Sequence, residues 1–336
     1  MMNRNLILAG AALALSLTWT GCNKSGKLSQ TSTFTPPAGP VELKLKWPQD
    51  EHILQDMDMK QTMQFSIPGQ PAPMKQEMTM GQGFALTVLQ ANADGTHEVE
   101  MEFLSARMNS TMGGRKLIDY DSTKKINPDK PNPVAGILGK IVGSKIRYFL
   151  GVTNEVLRME GIDEMMTRLA SGASAPELAQ LKNSFNDSYF KQLMSANLFL
   201  PAKPVQPGDT WPVQVQYPMS TMGTLLLNYT FTFKSWEMHG PRNCARLEFA
   251  GDIKSTPDTN SSPTGMQINV TDGSVSGVSW FDPDLGIVID TTMEQDMDMV
   301  IKVPMAKRGN ADAAAQMQSI TNQMTQTINL KLISVK

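Results

Sequence analysis

Most of the chain alternates between apolar and polar residues with a period of two, the pattern of a β-strand that buries one face. Ile53 to Ile67 and Met74 to Leu89 are the clearest runs, and both far exceed the usual strand length of about 5–6 residues. Pro68-Gly69 separates them, and Asp94-Gly95 is a signal for the next turn. Long antiparallel strands twist and tend to curl, so this part of the chain predicts a meander that curls into a half-barrel.

The middle of the chain has a different pattern. Pro133 to Val142 could form a short helix, and Gly161 to Leu169 and Pro176 to Ala196 show helical spacing of apolar residues. Alternation resumes at Trp211 and continues to Val335, although Ala311 to Met324 could instead be helical. The sequence therefore predicts an α+β fold, mainly antiparallel β, with long curled sheets or a half-barrel and a central helical insertion.

These patterns divide the chain into segments. Residues 41–160 form a first β-rich block, 161–200 the helical insertion and 201–336 a second β-rich block, and the alternative is that 41–336 is one domain. The pentapeptide Q-D-M-D-M occurs at Gln55 to Met59 and again at Gln295 to Met299. An internal duplication is therefore one hypothesis, and coincidence within alternating strands is the other.

The amino terminus predicts export. Arg4 precedes the apolar run Leu6 to Leu17, which is shorter than the roughly 20 residues that a spanning helix needs, so residues 1–21 are interpreted as a signal peptide. Thr20, Gly21 and Cys22 resemble the bacterial lipobox, although Trp19 stands where that motif usually has Leu.

The lipobox resemblance implies that Cys22 carries acyl chains, and two or more such chains hold a protein stably on a membrane. Asn23, rather than Asp, follows Cys22, which by the sorting rule of such lipoproteins implies the outer membrane, facing the periplasm. Residues 22–40 are rich in Ser, Thr, Pro and Gly and are interpreted as a flexible tether.

Composition and missing motifs exclude several functions. A formal net charge of −2, from 30 basic and 32 acidic residues, argues against nucleic-acid binding. Only three His are present, and the sequence has no H-E-x-x-H, C-x-x-C or phosphate-binding loop. If Cys22 carries lipid, Cys244 has no disulfide partner and is interpreted as an inert structural residue. We expect no cofactor, no metal and no enzymatic activity.

Methionine is the compositional anomaly, with 25 residues. Three interpretations remain open. Methionines fill the core, or they form an adaptable wall for an apolar ligand such as a lipid, or three thioethers from neighbouring strands bind Cu(I). For the second interpretation, the predicted lining consists of Met57, Met59, Met63, Phe65, Met78, Met80, Phe84, Met101 and Phe103.

The mature chain resembles a family of uncharacterised bacterial secreted β-rich lipoproteins. The resemblance rests on Leu45 to Trp47, on the paired strands that follow, on Asn154 to Gly161 (N-E-V-L-R-M-E-G) and on Pro207 to Trp211 (P-G-D-T-W). That family implies no activity. A looser fold analogy is to periplasmic lipoprotein carriers and lipid-binding lipoproteins. The leading hypothesis is a non-enzymatic envelope lipoprotein with a ligand on a concave sheet face, and the main alternative is a structural or interaction protein with a solid core.

Overall fold

A computed structural model describes residues 36–125, 133–171, 187, 190–191, 194, 199–219, 223–256, 267–305 and 316–336. Within these residues the chain forms twelve strands and two helices, α1 (Pro133–Ile141) and α2 (Ile162–Ala170). The strands are β1 (His52–Ser66), β2 (Met74–Ala91), β3 (His97–Met112), β4 (Arg115–Asp121), β5 (Lys145–Leu150), β6 (Val156–Glu160), β7 (Thr210–Met219), β8 (Gly223–His239), β9 (Arg242–Thr256), β10 (Gln267–Asp282), β11 (Ile287–Met305) and β12 (Gln316–Val335).

All twelve strands belong to one sheet in the order β6-β5-β3-β2-β1-β12-β11-β10-β9-β8-β7, with β4 paired to β3. Every pairing is antiparallel. The sheet is centred on the pairing of β1 with β12, so strands from both β-rich blocks share it. In the described chain β6 and β7 are the last strands of this order, and β4, paired only with β3, leaves a further edge. Pro212 and Pro218 lie on the edge strand β7, where proline is tolerated.

The two faces of the sheet have different chemistry. In β1, Met57, Met59 and Met63 share one parity and are buried, whereas Lys60 and Gln64, of the opposite parity, are exposed. We call the face that carries these methionines the inner face and the opposite one the outer face. Because β1, β2, β11 and β12 alternate in matched register, the inner face continues across all four strands.

The inner face is covered differently towards each edge of the sheet. Towards β5, Ile141 of α1 and Leu169 of α2 pack in one cluster with Val88 and Val99. Towards β7, Leu43, which precedes β1, and Val205, which precedes β7, pack in one cluster with side chains of β8 to β12. Burial of this face supplies the main driving force for folding.

The predicted long strands are confirmed: Ile53 to Ile67 corresponds to β1, and Met74 to Leu89 corresponds to β2. The helical alternative for Ala311 to Met324 is wrong, because residues 316–335 form β12 with an apolar-polar alternation that matches β1 and β11. Residues 311–315 lie outside the described residues.

The α+β class needs correction to mainly antiparallel β. Of the predicted central insertion, Gly161 to Leu169 forms α2, but this helix has only 9 residues, and α1 also has 9. Such short helices cover part of a sheet rather than forming a layer of their own. Apart from isolated positions, Pro176 to Ala196 lies outside the described residues, as do residues 1–35 with Cys22 and most of the predicted tether. No described helix is long and apolar enough to cross a bilayer.

Candidate functional site

All nine predicted lining residues lie on the inner face. Seven of them expose 9% or less of their surface, and the other two, Met80 and Phe84, are partly buried. The structure divides the nine among four packing clusters: Met63 and Phe65; Phe84, Met101 and Phe103; Met59, Met78 and Met80; and Met57 with Phe84. They line one continuous face but do not converge on one point.

Methionines on this face form two rows that run across the strands. Met63 of β1, Met324 of β12 and Met297 of β11 are direct neighbours in register. A second row joins Met59 of β1 to Met80 of β2 and then to Met108 of β3. Directly opposed residues have Cβ atoms about 4.5–5.5 Å apart, so flexible thioether side chains from three strands can reach one another within each row.

Between the two rows runs a line of buried amides. Gln61 of β1 is directly opposite Gln326 of β12, which is directly opposite Gln295 of β11. Two further buried amides lie beside this line. Gln76 of β2 is directly opposite Met63, and Asn322 of β12 is directly opposite Phe65. These five side chains, each at most 5% exposed, are called the amide belt: Gln61, Gln76, Gln295, Asn322 and Gln326.

The amide belt is joined to its surroundings by a few hydrogen bonds. Gln61 Nε2 donates to Gln326 Oε1 at 3.1 Å and contacts Met324 Sδ at 2.7 Å. Gln76 Nε2 donates to Ser110 Oγ at 3.5 Å, a long and therefore weak bond.

Four atoms of the belt have no hydrogen-bond partner within the described part of the chain. They are the acceptors Gln61 Oε1, Gln76 Oε1 and Asn322 Oδ1 and the donor Gln326 Nε2. A buried polar atom without a partner costs about 1–3 kcal/mol. The centre of the methionine-rich face therefore contains hydrogen-bonding capacity that the described protein leaves unused.

The outer face carries an open cavity of about 400 Å³ above β1, β2, β3 and β12. Threonines dominate its wall, and among the described lining residues Lys60 is the only cation. These residues are Lys60, Gln61, Thr62, Glu77, Met78, Thr79, Asn109, Thr111, Thr325 and Thr327. This cavity lies on the polar side of the same strands, whereas the side chains of the predicted lining residues lie on the inner face.

Charged residues on the outer face form ion pairs across strands. Arg107 Nη2 lies 3.0 Å from Asp58 Oδ1 and 3.7 Å from Asp56 Oδ2. Gly81, between them on β2, gives this pair room, because a Cβ there would touch the Arg107 and Asp58 side chains. Partial burial raises the pKa of Asp56, and Arg107 opposes that rise. Asp56 and Asp58 therefore lie on the face of β1 opposite to Met57 and Met59.

A second polar cluster lies on β8, β10 and β11. His239 Nε2 is 2.8 Å from Asp290 Oδ2, and the His239 ring stacks on Trp280 at 4.4 Å between centroids. Burial raises the pKa of Asp290, opposed by the hydrogen bond from His239. Cys244 is fully buried nearby, and burial raises the pKa of its thiol to about 12. Among the described residues, no three His, Cys, Asp or Glu side chains are grouped to hold a metal ion.

The amide belt is the feature that sequence analysis missed. Gln61 has the same parity as Met59 and Met63, and Gln326 the same parity as Met324, so a polar residue at a core position was a visible signal. That the two face each other depends on the pairing of β1 with β12, which the sequence pattern does not contain.

A model of a family of unknown function (DUF6263) matches residues 94–288. The matched range begins in the turn before β3 and ends at the start of β11, so all five amide-belt residues lie outside it. A comparison with curated protein sequences gives no match.

Solved structures give only distant likenesses. Lipovitellin is 7% identical over 87% of this chain and 26% of its own, with a TM-score of 0.42, so the chain spans about a quarter of that protein. A protein with a YmcC-like fold, assigned as exported, from Bacteroides fragilis is 11% identical over 88% of this chain and 100% of its own, with a TM-score of 0.28. A domain assigned to outer membrane lipoprotein sorting from Vibrio parahaemolyticus is 11% identical over 84% of each chain, with a TM-score of 0.12. Scores below 0.5 carry no argument about function.

Proposed function

The chain belongs to this family of unknown function, and we propose that it is a non-enzymatic cell-envelope lipoprotein that binds an apolar ligand, such as a lipid, against its methionine-rich inner face. In this proposal Cys22 anchors the protein to the outer membrane by acyl chains. The long strands, 18 residues in β2 and 20 in β12, twist and curve this face around the ligand.

The unused hydrogen-bonding capacity of the amide belt carries the proposal. Four unpaired atoms at about 1–3 kcal/mol each destabilise the closed interior by roughly 4–12 kcal/mol. This sum is comparable to the whole net stability of a typical domain, about 5–15 kcal/mol. A ligand that separates the inner face from its cover and pairs with these atoms recovers that free energy.

Methionine makes such an opening mechanically easy. Its unbranched side chain adopts many rotamers, so the same wall packs against itself when closed and against a ligand when open. Met63, Met324 and Met297 expose 4% or less of their surface, so the closed form hides this row. This adaptability supports apolar-ligand binding more than specific recognition of one rigid molecule.

The same low exposure favours the alternative, a structural or interaction lipoprotein with a solid core and no ligand. Met59 and Met324 are each 1% exposed, as expected for close-packed core residues. In that alternative the amides are a cost without a function. A minor alternative is Cu(I) binding, for which the register of Met63, Met324 and Met297 on neighbouring strands supplies three candidate thioether ligands.

Native mass spectrometry of the full chain, released gently from the envelope membranes, separates these alternatives. We expect an adduct of lipid mass in addition to the covalent acyl chains, and saturable binding of the neutral apolar dye Nile red after the adduct is removed. No adduct together with no saturable dye binding supports the solid core and refutes the proposal. A mass increment of copper in place of lipid refutes it in favour of the metal.

A further inference from the structure

We infer that the ligand of the inner face is a neutral amphiphile whose head group carries a hydroxyl or primary amide and is held by the amide belt. This inference rests on the proposed function and adds the chemical class of the ligand. It is carried by the chemistry of the unpaired atoms, by the absence of charge around them and by the position of Gln61 and Gln326 between the methionine rows.

The unpaired atoms determine which groups the head must offer. Three are acceptors, Gln61 Oε1, Gln76 Oε1 and Asn322 Oδ1, and one, Gln326 Nε2, is a donor. A hydroxyl group or a primary amide both donates and accepts, so it can satisfy both kinds. A hydrocarbon satisfies none of them, and an ester without a hydroxyl satisfies only the donor.

The charges around the belt exclude an ionised head group. Among the described residues on β1, β2, β11 and β12, no Lys, Arg, Asp or Glu shares the inner face. The charged side chains of these strands, such as Lys60 and Asp58, lie on the outer face. A carboxylate or phosphate placed against the belt would lose its hydration without gaining a counter-ion, which costs several kcal/mol.

The position of the belt suits a molecule with a tail. Inner-face residues two positions apart along a strand are about 6.6–6.8 Å apart, and Gln61 has a methionine row at that distance on each side. One row contains Met63 and Met324, and the other contains Met59 and Met80. A head group paired with Gln61 therefore leaves its acyl tail in contact with thioethers in either direction along the strands.

Displacement of Nile red from the full-length delipidated protein tests the inference with probes of one chain length. The probes are oleyl alcohol, 1-monooleoylglycerol, oleate at pH 8 and the hydrocarbon 1-octadecene. We expect the alcohol and the monoacylglycerol to compete at least tenfold better than oleate and the hydrocarbon. Equal or better competition by oleate or by octadecene overturns the inference while the proposed function stands, and absence of saturable dye binding overturns both.

A double substitution identifies the belt as the source of the preference. In Gln61→Met/Gln326→Met the dye still binds, because the apolar wall remains, but oleyl alcohol loses its advantage over octadecene. The matched control is Gln64→Met/Gln323→Met, which changes a directly opposed pair on the same two strands that is exposed on the outer face. A preference that survives in the belt variant, or that disappears equally in the control, overturns the inference.

Discussion

Replacing the two central amides of the belt should make the ligand-free protein more stable. The substitution Gln61→Met/Gln326→Met removes two unpaired buried atoms, Gln61 Oε1 and Gln326 Nε2. Each costs about 1–3 kcal/mol, so their removal returns roughly 2–6 kcal/mol. Methionine has nearly the same length as glutamine, so the change creates neither a cavity nor a clash.

The substitution also removes favourable interactions. Gln61 Nε2 loses its bond to Gln326 Oε1 at 3.1 Å and its contact with Met324 Sδ at 2.7 Å. A typical intramolecular hydrogen bond contributes about 0.5–1.5 kcal/mol net, so the loss is roughly 1–3 kcal/mol. The expected result is a net stabilisation of about 1–3 kcal/mol, although most core substitutions destabilise.

Urea denaturation of the delipidated proteins, followed by circular dichroism, measures this difference. The slope of free energy against urea concentration should stay unchanged, because neither substitution alters the surface exposed on unfolding by much. The control pair Gln64→Met/Gln323→Met, exposed on the same strands, should change the free energy of unfolding by less than about 0.5 kcal/mol. A belt variant less stable than the wild-type protein refutes the reasoning, because it would mean that these amides contribute net stability to the closed form.

Three further predictions concern other parts of the fold. Burial raises the pKa of Asp290, so ionisation of this carboxyl group opposes folding as the pH rises through that pKa. In urea denaturation, Asp290→Asn should therefore become more stable relative to the wild-type protein between pH 3 and pH 7. A stability difference that stays constant over this range contradicts the prediction. Gly277→Ala should lower the free energy of unfolding by about 1–3 kcal/mol in the same assay, because the added Cβ would collide with the Thr292 carbonyl oxygen and a phenylalanine ring. Gly136→Ala on α1, with open space around the added Cβ, should instead raise the free energy of unfolding by about 0.5–1 kcal/mol. Equal effects of the two substitutions would contradict this geometry. Peptide mapping after iodoacetamide treatment at pH 8 should find Cys244 unmodified in native protein and modified in urea, because burial raises its pKa to about 12, and native labelling would show the thiol to be accessible.

The strands were predictable because one physical rule governs them. Alternation marks the positions of β1 and β2 to within two residues at each end, since one face of each strand is buried and the other is not. The same rule placed the predicted lining residues on one face. Alternation predicted β12 only weakly. The polar inner-face residues Asn322 and Gln326 interrupt the series of apolar residues at every second position that is typical of a half-buried strand.

The arrangement of the strands was not predictable from alternation. The pairing of β1 with β12 depends on contacts between distant segments, and no local pattern encodes which strand ends meet. The division of the predicted lining among separate clusters has the same cause. The unpaired state of Gln61 and Gln326 depends on register to a single residue, since a slip of one position would turn both amides to the outer face.

The central pairing also has a consequence for how the molecule matures. Phe65 and Asn322 are directly opposed in the sheet but lie 257 positions apart in the sequence (322 − 65). Closing a loop of that length costs about 5 kcal/mol of chain entropy, so β1 and β12 meet late in folding. Until they meet, each half of the sheet has a long unpaired edge strand next to exposed apolar side chains. Surfaces of this kind promote aggregation of incompletely folded chains. We therefore expect newly made copies to aggregate more readily during this interval than after β1 and β12 have paired.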